Sequence, residues 1–556
     1  MSADATAITV AGLLEHLCPG LVGRQAPPAW PPDAFALAAS LLQDSGVYLD
    51  VVAQWPPIGR ATEGGLPVSP SAWAATVRRI GQRWRRGVRK DQVPDELRRW
   101  WRIVFAAGPC PLPELAGERG VCRALLQICA AADEACAGVG FPFAGPNDLL
   151  NEESKERLVP DPVLGSSLCR DVHPSRARVL PKSHTPQSGL TLASLTHNLA
   201  LWRSGDVLPK WYMVPPSDRR YLLEAFSLNL LLVPWPQAIT PTQFRPCTPP
   251  SGRLHLANSF GFFRFDKKPE PDRLIRRLAL LFEEATRVVG RIEVVIFPEL
   301  ALARADYDAV SAWARGQNVV LICGVGESPR GGLPGVNYVA LEIPVSSTRH
   351  AVIHQSKHHR WRLDRSQIVQ YGLGGQLDPE RQWWEHTRVE ARSLAIVALL
   401  PWLSLAVLVC EDLARQEPVA QLVRSLGPNL VIALLMDGPQ LASRWPARYA
   451  TVLADDPGSS VLTLTSIGMA ELSRPPGRAV CRSVALWKDA KTGGAREIEL
   501  PPGNDGLVLS LTRQIDEEWT ADGRSHGRSS SYPILGGVHP LRIPDRRHSR
   551  STSRRG

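Results

Sequence analysis

The sequence predicts an α/β layered domain preceded by a mostly α-helical region. The first observation is a series of apolar runs of strand length beginning near residue 225: LNLLLVPW, VVIFPE, NVVLICGV, NYVALEI, LAIVALL, LAVLVC, NLVIALLM, SVLTLTSI, SVALWK and GLVLSL. The second is PDRLIRRLALLFEEATRVVG, between the first two runs, whose apolar residues recur every three or four positions and predict an amphipathic helix crossing the sheet. The third is a change of texture. Residues 1–215 read as helices joined by loops rich in Pro and Gly, such as RQAPPAWPP and PIGRATEGGLPVSPS. These features divide the chain into a helical region over 1–215, an α/β domain over 216–515 and a basic, disordered tail over 516–556.

Within the helical region, RRIGQRWRRGVRKDQVPDELRRWWRI reads as an amphipathic helix pair with Trp84, Trp100 and Trp101 in its core and its arginines in solvent. The alternative is a nucleic-acid partner, with arginines on phosphates and tryptophans stacked on bases. Cys122, Cys129 and Cys136 recur every seven residues on one helix, a spacing that favours a core stripe over a metal or redox site. Further on, SLAIVALLPWLSLAVLVC at 393–410 is long enough to imitate a membrane span. Its central Leu-Pro-Trp divides it into two buried strands. The end, DRRHSRSTSRRG, has no apolar periodicity and is a second candidate contact for nucleic acid.

Composition narrows the class of protein. With 44% hydrophobic and 21% charged residues the 556-residue chain is globular, and its forty-nine prolines imply many loops. Residues 78–102 hold ten Lys/Arg against three Asp/Glu, and residues 524–556 hold eight Arg against one Asp, so the overall charge of +10 is concentrated in two regions. The central body is not basic. Ten scattered cysteines form no C-x-x-C pair, which argues against a zinc ribbon or a disulfide framework and for a reducing cytoplasm. The start, MSADATAITVAGLLEHLCPG, lacks the basic flank of a secretory leader.

Three strand-like runs end on reactive side chains. IFPEL carries Glu299, HQSKHHRW carries Lys357, and VLVCED carries Cys410. Singly, each has a plain structural reading: a loop glutamate, a solvated lysine, an inert buried thiol. Together they suit acyl chemistry. A thiol with a pKa near 8.5 needs a carboxylate to take its proton or a cation to favour the thiolate. Attack on an amide or nitrile carbon builds charge that an ammonium and a backbone N–H can stabilise.

In this order and these contexts the sequence resembles the nitrilase, or carbon-nitrogen hydrolase, superfamily across roughly 225–515. The likeness includes VVLICGVGES followed by NYVALEI, the SK before the His pair, VCED before a helix, and NLVIALLMDGPQ with the strand ending TSIG. The resemblance implies an αββα sandwich, a cysteine thioester mechanism without metal or other cofactor, and a homo-oligomer. It implies Cys410 as nucleophile, Glu299 as general base, Lys357 as stabiliser of the tetrahedral intermediate, and the backbone N–H of Glu411 as an oxyanion donor. The family's further glutamate matches Glu385 in RQWWEH, with Glu380 and Glu390 as alternatives.

The sequence also departs from the family. Glu411 stands where an aromatic residue is common, and Arg415 lies five positions after the cysteine instead of four. The CED form looks like the glutamine-amidase domains of NAD synthetases, yet no phosphate-binding pyrophosphatase domain is evident. An insertion around YGLGGQLDPERQWW is expected to line the pocket. GVGES at 324–328 reads as a turn beside the site and not as a dinucleotide loop. His354, His358 and His359 lack a fixed acidic partner for a metal, and LADD at 453–456 reads as a helix end. The expected function is hydrolysis of a non-peptide C–N bond in a small amide or nitrile. The alternatives are acyl transfer on the same fold, or a non-catalytic scaffold in a nucleic-acid-binding or defence-related protein.

Overall fold

The computed structural model describes residues 8–49, 70–142, 149–158, 166–203, 205–214, 227–247, 260–329, 333–346, 349–525 and 529–543. With strands numbered along the chain, a ribbon of β1 (Arg178–Pro181) and β2 (Leu199–Trp202) precedes β3 (Leu208–Met213) and β4 (Ser227–Leu232). A small sheet follows the order β11 (Arg362–Leu363), β12 (Gln382–Glu385), β6 (Phe260–Phe265), β5 (Phe244–Cys247). The first large sheet has seven strands: β10 (His350–Ser356), β9 (Val336–Pro344), β8 (Val320–Glu327), β7 (Val294–Leu302), β4, β19 (Gly506–Glu517) and β20 (Ser529–Leu541). The second also has seven: β18 (Arg496–Glu499), β17 (Ser483–Lys488), β16 (Ser460–Leu464), β15 (Leu430–Leu434), β14 (Leu403–Val409), β13 (Ser393–Leu400) and β3. All ten apolar runs of the sequence lie in these two sheets.

The sheets pack face to face. Alternate residues of each strand, such as Leu230, Leu232, Ile296 and Ile322 from one and Leu405, Val407, Ile432 and Leu434 from the other, form one buried cluster between them. The opposite parity faces helices. Val295, Phe297 and Leu321 pack under helices Pro271–Val289 and Arg304–Gln317, the first of which buries Leu274, Leu278, Leu281 and Ala285 at spacings of four, three and four. Ala406, Leu408, Val431 and Ala433 pack under helices Gln421–Leu426 and Trp445–Asp455. The result is an αββα sandwich. The 393–410 segment is the antiparallel hairpin β13–β14, and no described helix is long and apolar enough to cross a membrane.

The N-terminal helices continue the second outer layer, sharing one buried cluster with it. Cys122 and Cys129 on helix Arg119–Ala135 and Cys136 at its C-terminal cap are buried, and desolvation raises the thiols of Cys129 and Cys136, so they are core. Gly81 is required for close approach: a Cβ there would lie 2.6 Å from that of Glu134.

Two boundaries need correction. Leu208–Met213, inside the region expected to be helical, pairs in parallel with β13, so the sandwich begins before residue 216. The tail expected from 516 instead contributes a strand to the sandwich: Ser529–Leu541 pairs along the whole of β19. Both are edge strands that contain proline and are only partly buried, which breaks the pattern that identifies central strands. The basic terminus after 543 lies outside the described residues.

Candidate active site

Glu299 is held by an interruption in β7. Phe297 pairs with Cys323 and the next partners are Leu302 and Val325, so Pro298–Ala301 leave the ladder, with Leu300 at a left-handed φ of 51°. The neighbouring strand makes room. A Cβ on Gly324 would stand 2.4 Å from the Pro298 carbonyl and 2.5 Å from the Glu299 Cα. GVGE is therefore not a turn but the body of β8, and its glycine admits the bulge that carries Glu299.

Lys357 follows the last residue of β10, and its backbone N–H donates to the Asn337 carbonyl at 3.0 Å. Its side chain is 1% exposed, and Nζ donates to Glu299 Oε1 at 2.8 Å and Glu385 Oε2 at 2.7 Å. Asn337 Nδ2 donates to both glutamates, at 2.8 Å each. Glu299 Oε2 accepts the Met436 backbone N–H at 2.8 Å, and Glu385 Oε2 accepts that of Trp361 at 3.1 Å. Burial opposes the lysine charge, but the two carboxylates outweigh it and hold the ammonium well above its ordinary pKa. Burial likewise raises Glu299, against the attraction of Lys357. The arrangement is a buried cation between two carboxylates.

Cys410 follows the last residue of β14 and starts a short 3₁₀ helix, Cys410–Ala414, with φ at 46°. A non-glycine residue in that region is strained, which marks a sharp strand-to-turn corner. Desolvation and the Glu299 charge push its thiol well above the ordinary value, while Lys357 and the Met436 N–H act in the other direction. At neutral pH it rests as a thiol. Glu411 comes next, its carboxylate turned to Arg415 at 2.5 Å. Asp412, 1% exposed, accepts the His358 backbone N–H at 3.1 Å and bonds His359 Nδ1 at 2.9 Å, tying the cysteine turn to the lysine segment. His358 Nε2 bonds the Ser393 carbonyl at 2.7 Å and the His354 ring packs against Tyr338 at a tilt of 56°, so these histidines serve as structural links.

Glu299, Lys357, Glu385 and Cys410 thus converge, and the two other glutamates stand apart. Glu380 pairs with Arg365 in solvent and Glu390 accepts from Ser356 Oγ. The inserted segment contributes β12, which delivers Glu385, and Tyr371, whose OH donates to Asp437 at 2.6 Å. The LADD acids close helix Trp445–Asp455, where Asp456 faces Arg424. Sequence does not single out Asn337, Asp412 or Asp437; the first opens NYVALEI within β9 and the last lies in MDG, just after β15. A cleft of about 350 Å³ reaches Glu385, Trp361 and Met436, between apolar Leu300 and Phe265 and charged Arg264, Lys267 and Glu327.

No family model matches the sequence, and no curated protein matches it. Solved structures are similar over about half the chain. A member of branch 10 of the nitrilase superfamily from Saccharomyces cerevisiae is 13% identical, with a TM-score of 0.32 over 52% of this chain and 92% of that one. A carbon-nitrogen hydrolase from Helicobacter pylori is 15% identical, with a TM-score of 0.29 over 57% and 90%. An amidase from Nesterenkonia sp. is 14% identical, with a TM-score of 0.31 over 51% and 90%.

Proposed function

We propose that the protein is a cysteine-dependent hydrolase of non-peptide C–N bonds, acting on a small amide or nitrile. The observation that carries this reading is the buried Glu299–Lys357–Glu385 cluster beside a thiol on a left-handed corner. For an amide, Cys410 Sγ attacks the carbonyl carbon as its proton passes to Glu299, which suits a base whose pKa is raised by burial. The new oxyanion is met by the Lys357 ammonium and the Glu411 backbone N–H. Glu299 returns the proton to the departing nitrogen as the C–N bond breaks, leaving a thioester. Water then gives a proton to Glu299 and its oxygen to the acyl carbon, releasing the acid and the thiol. Glu385 holds Lys357 in place. Because the thiol rests protonated, this scheme requires general-base help at the moment of attack and not a standing thiolate.

The test is ammonia release from a panel of short aliphatic amides, with hydroxylamine present in parallel to intercept the thioester as a hydroxamate. Turnover and hydroxamate that vanish together in Cys410→Ala support the reading; turnover retained by that variant excludes it. A product formed with an added amine but not with water would identify acyl transfer instead.

A further inference from the structure

The arginine-rich helices carry a surface that the chemistry at Cys410 does not use. Helix Pro70–Gly87 buries Trp73, Val77, Ile80 and Trp84 and exposes Arg78, Arg79, Arg83 and Arg86 on its other face. Helix Asp95–Ala106 repeats the arrangement, with Leu97, Trp100, Trp101 and Val104 inside and Arg98, Arg99 and Arg102 outside. Between them Arg89 and Lys90 are exposed on a short 3₁₀ turn. Between the helices lies one open groove of about 700 Å³, lined by Arg83 from the first and by Arg98, Arg99 and Arg102 from the second, with Asp95 and Glu96; Arg79 and Arg86 extend the basic surface beyond its lining.

The acids in the groove are few and already answered. Arg83 meets Glu96 at 2.5 Å, and Arg98 lies 3.9 Å from Asp95. Among the described residues, Arg79, Arg86, Arg99 and Arg102 form no ion pair. Among the described residues these four guanidinium groups have no carboxylate within ion-pair distance, Arg99 feeling Glu96 only from further off, which is the electrostatic condition that favours a polyanion.

We propose that this groove binds the phosphate backbone of a nucleic acid without reading its bases. The cations are almost all guanidinium groups, whose fork matches phosphate oxygens. The tryptophans that could stack on bases are spent in the core: Trp84 Nε1 donates to the Ala29 carbonyl at 2.8 Å and Trp101 is fully buried. Ile103 is the one exposed large hydrophobic residue on these two helices, so there is no apolar face to enter a lipid surface.

The experiment uses the full chain and fluorescence anisotropy with two unrelated DNA duplexes of about 25 base pairs, from about 50 to 200 mM NaCl. The two duplexes should bind equally, and affinity should fall about a hundredfold across that range, as about four phosphate contacts require. The quadruple variant Arg79→Gln, Arg86→Gln, Arg99→Gln, Arg102→Gln should lose at least about tenfold in affinity and flatten the salt slope by about 3. Arg276→Gln with Arg365→Gln, exposed arginines elsewhere, should bind as the native chain does. A second variant, Arg99→Glu with Arg102→Glu, gives the same reading should the quadruple variant fail to fold. No binding at the lowest salt, undiminished binding in both arginine variants, or binding to phosphatidylserine vesicles in preference to DNA overturns the proposal.

Discussion

Asn337 governs how two carboxylates share one ammonium. Its amide orientation is determined by chemistry: both partners of Nδ2 are glutamate oxygens at 2.8 Å, and the reversed amide would set its carbonyl against them. The hydrogen bond donated to Glu299 favours its ionised form. In Asn337→Leu that support is lost, so Glu299 takes up a proton more readily and ceases to be a base at a higher pH. Charge-assisted bonds of about 1.5–3 kcal/mol translate into a shift of about one to two pH units. The acid limb of the pH profile for Cys410 alkylation should therefore move upward by that amount, while the fold, read by circular dichroism, is retained. An unchanged profile would remove Asn337 from the account. Lys357→Met should act differently, since it leaves two buried carboxylates without their cation; a loss of stability of about 3–5 kcal/mol in urea melts is expected.

At the scale of elements, the site depends on a bulge and a turn. Gly324→Ala places a methyl group against the backbone of Pro298 and Glu299, which cannot yield as a side-chain end would. A loss of about 1–3 kcal/mol is expected in urea melts, with Cys410 alkylation slowed because Glu299 is displaced. Glycine remains the residue that allows both. Asp412→Ala removes the acceptor for the His358 N–H and His359, leaving a buried donor unmet at a cost of about 1–3 kcal/mol. Asp412→Asn, which keeps an acceptor oxygen, should recover part of that loss. These elements also show what could be read from the chain. The ten central runs were legible because strands buried on both faces are continuously apolar. The edge strands β3 and β20 were not, and Asn337 and Asp412 left no trace because a polar residue inside a strand or turn has no periodic signal. Glu385 was legible only through its resemblance to a family, since Glu380 and Glu390 stand equally near in sequence.

At the scale of the molecule, the helical region and the sandwich are joined by buried charge as well as by a shared apolar core. Arg524, on the turn between β19 and β20, is fully buried. It donates to Asp133 at 3.2 Å and Glu134 at 3.0 Å on helix Arg119–Ala135, and to the Leu195 carbonyl at 2.6 Å. Burial opposes its charge, but Asp522, Asp133 and Glu134 raise its pKa, so it is locked as a cation. Asp133 in turn accepts the backbone N–H groups of His197, Asn198 and Leu199. Arg524→Met should leave this acidic cluster unpaired and cost about 3–5 kcal/mol. If the connection is as tight as its burial implies, native unfolding is one transition by both fluorescence and circular dichroism, and the variant separates it into two. Two well-separated transitions in the native protein would contradict this coupling.

The proposed mechanism makes Cys410 a nucleophile activated by Glu299 and not another of the chain's buried thiols. Its most direct test is the rate of Cys410 alkylation by iodoacetamide, followed by intact mass and peptide mapping in the native protein, Glu299→Gln and Cys410→Ala. Cys410 should label ahead of the other nine cysteines, and Glu299→Gln should slow it at neutral pH with the fold intact. Labelling of Cys410 no faster than the buried Cys129 or Cys323, or unchanged by Glu299→Gln, would contradict it.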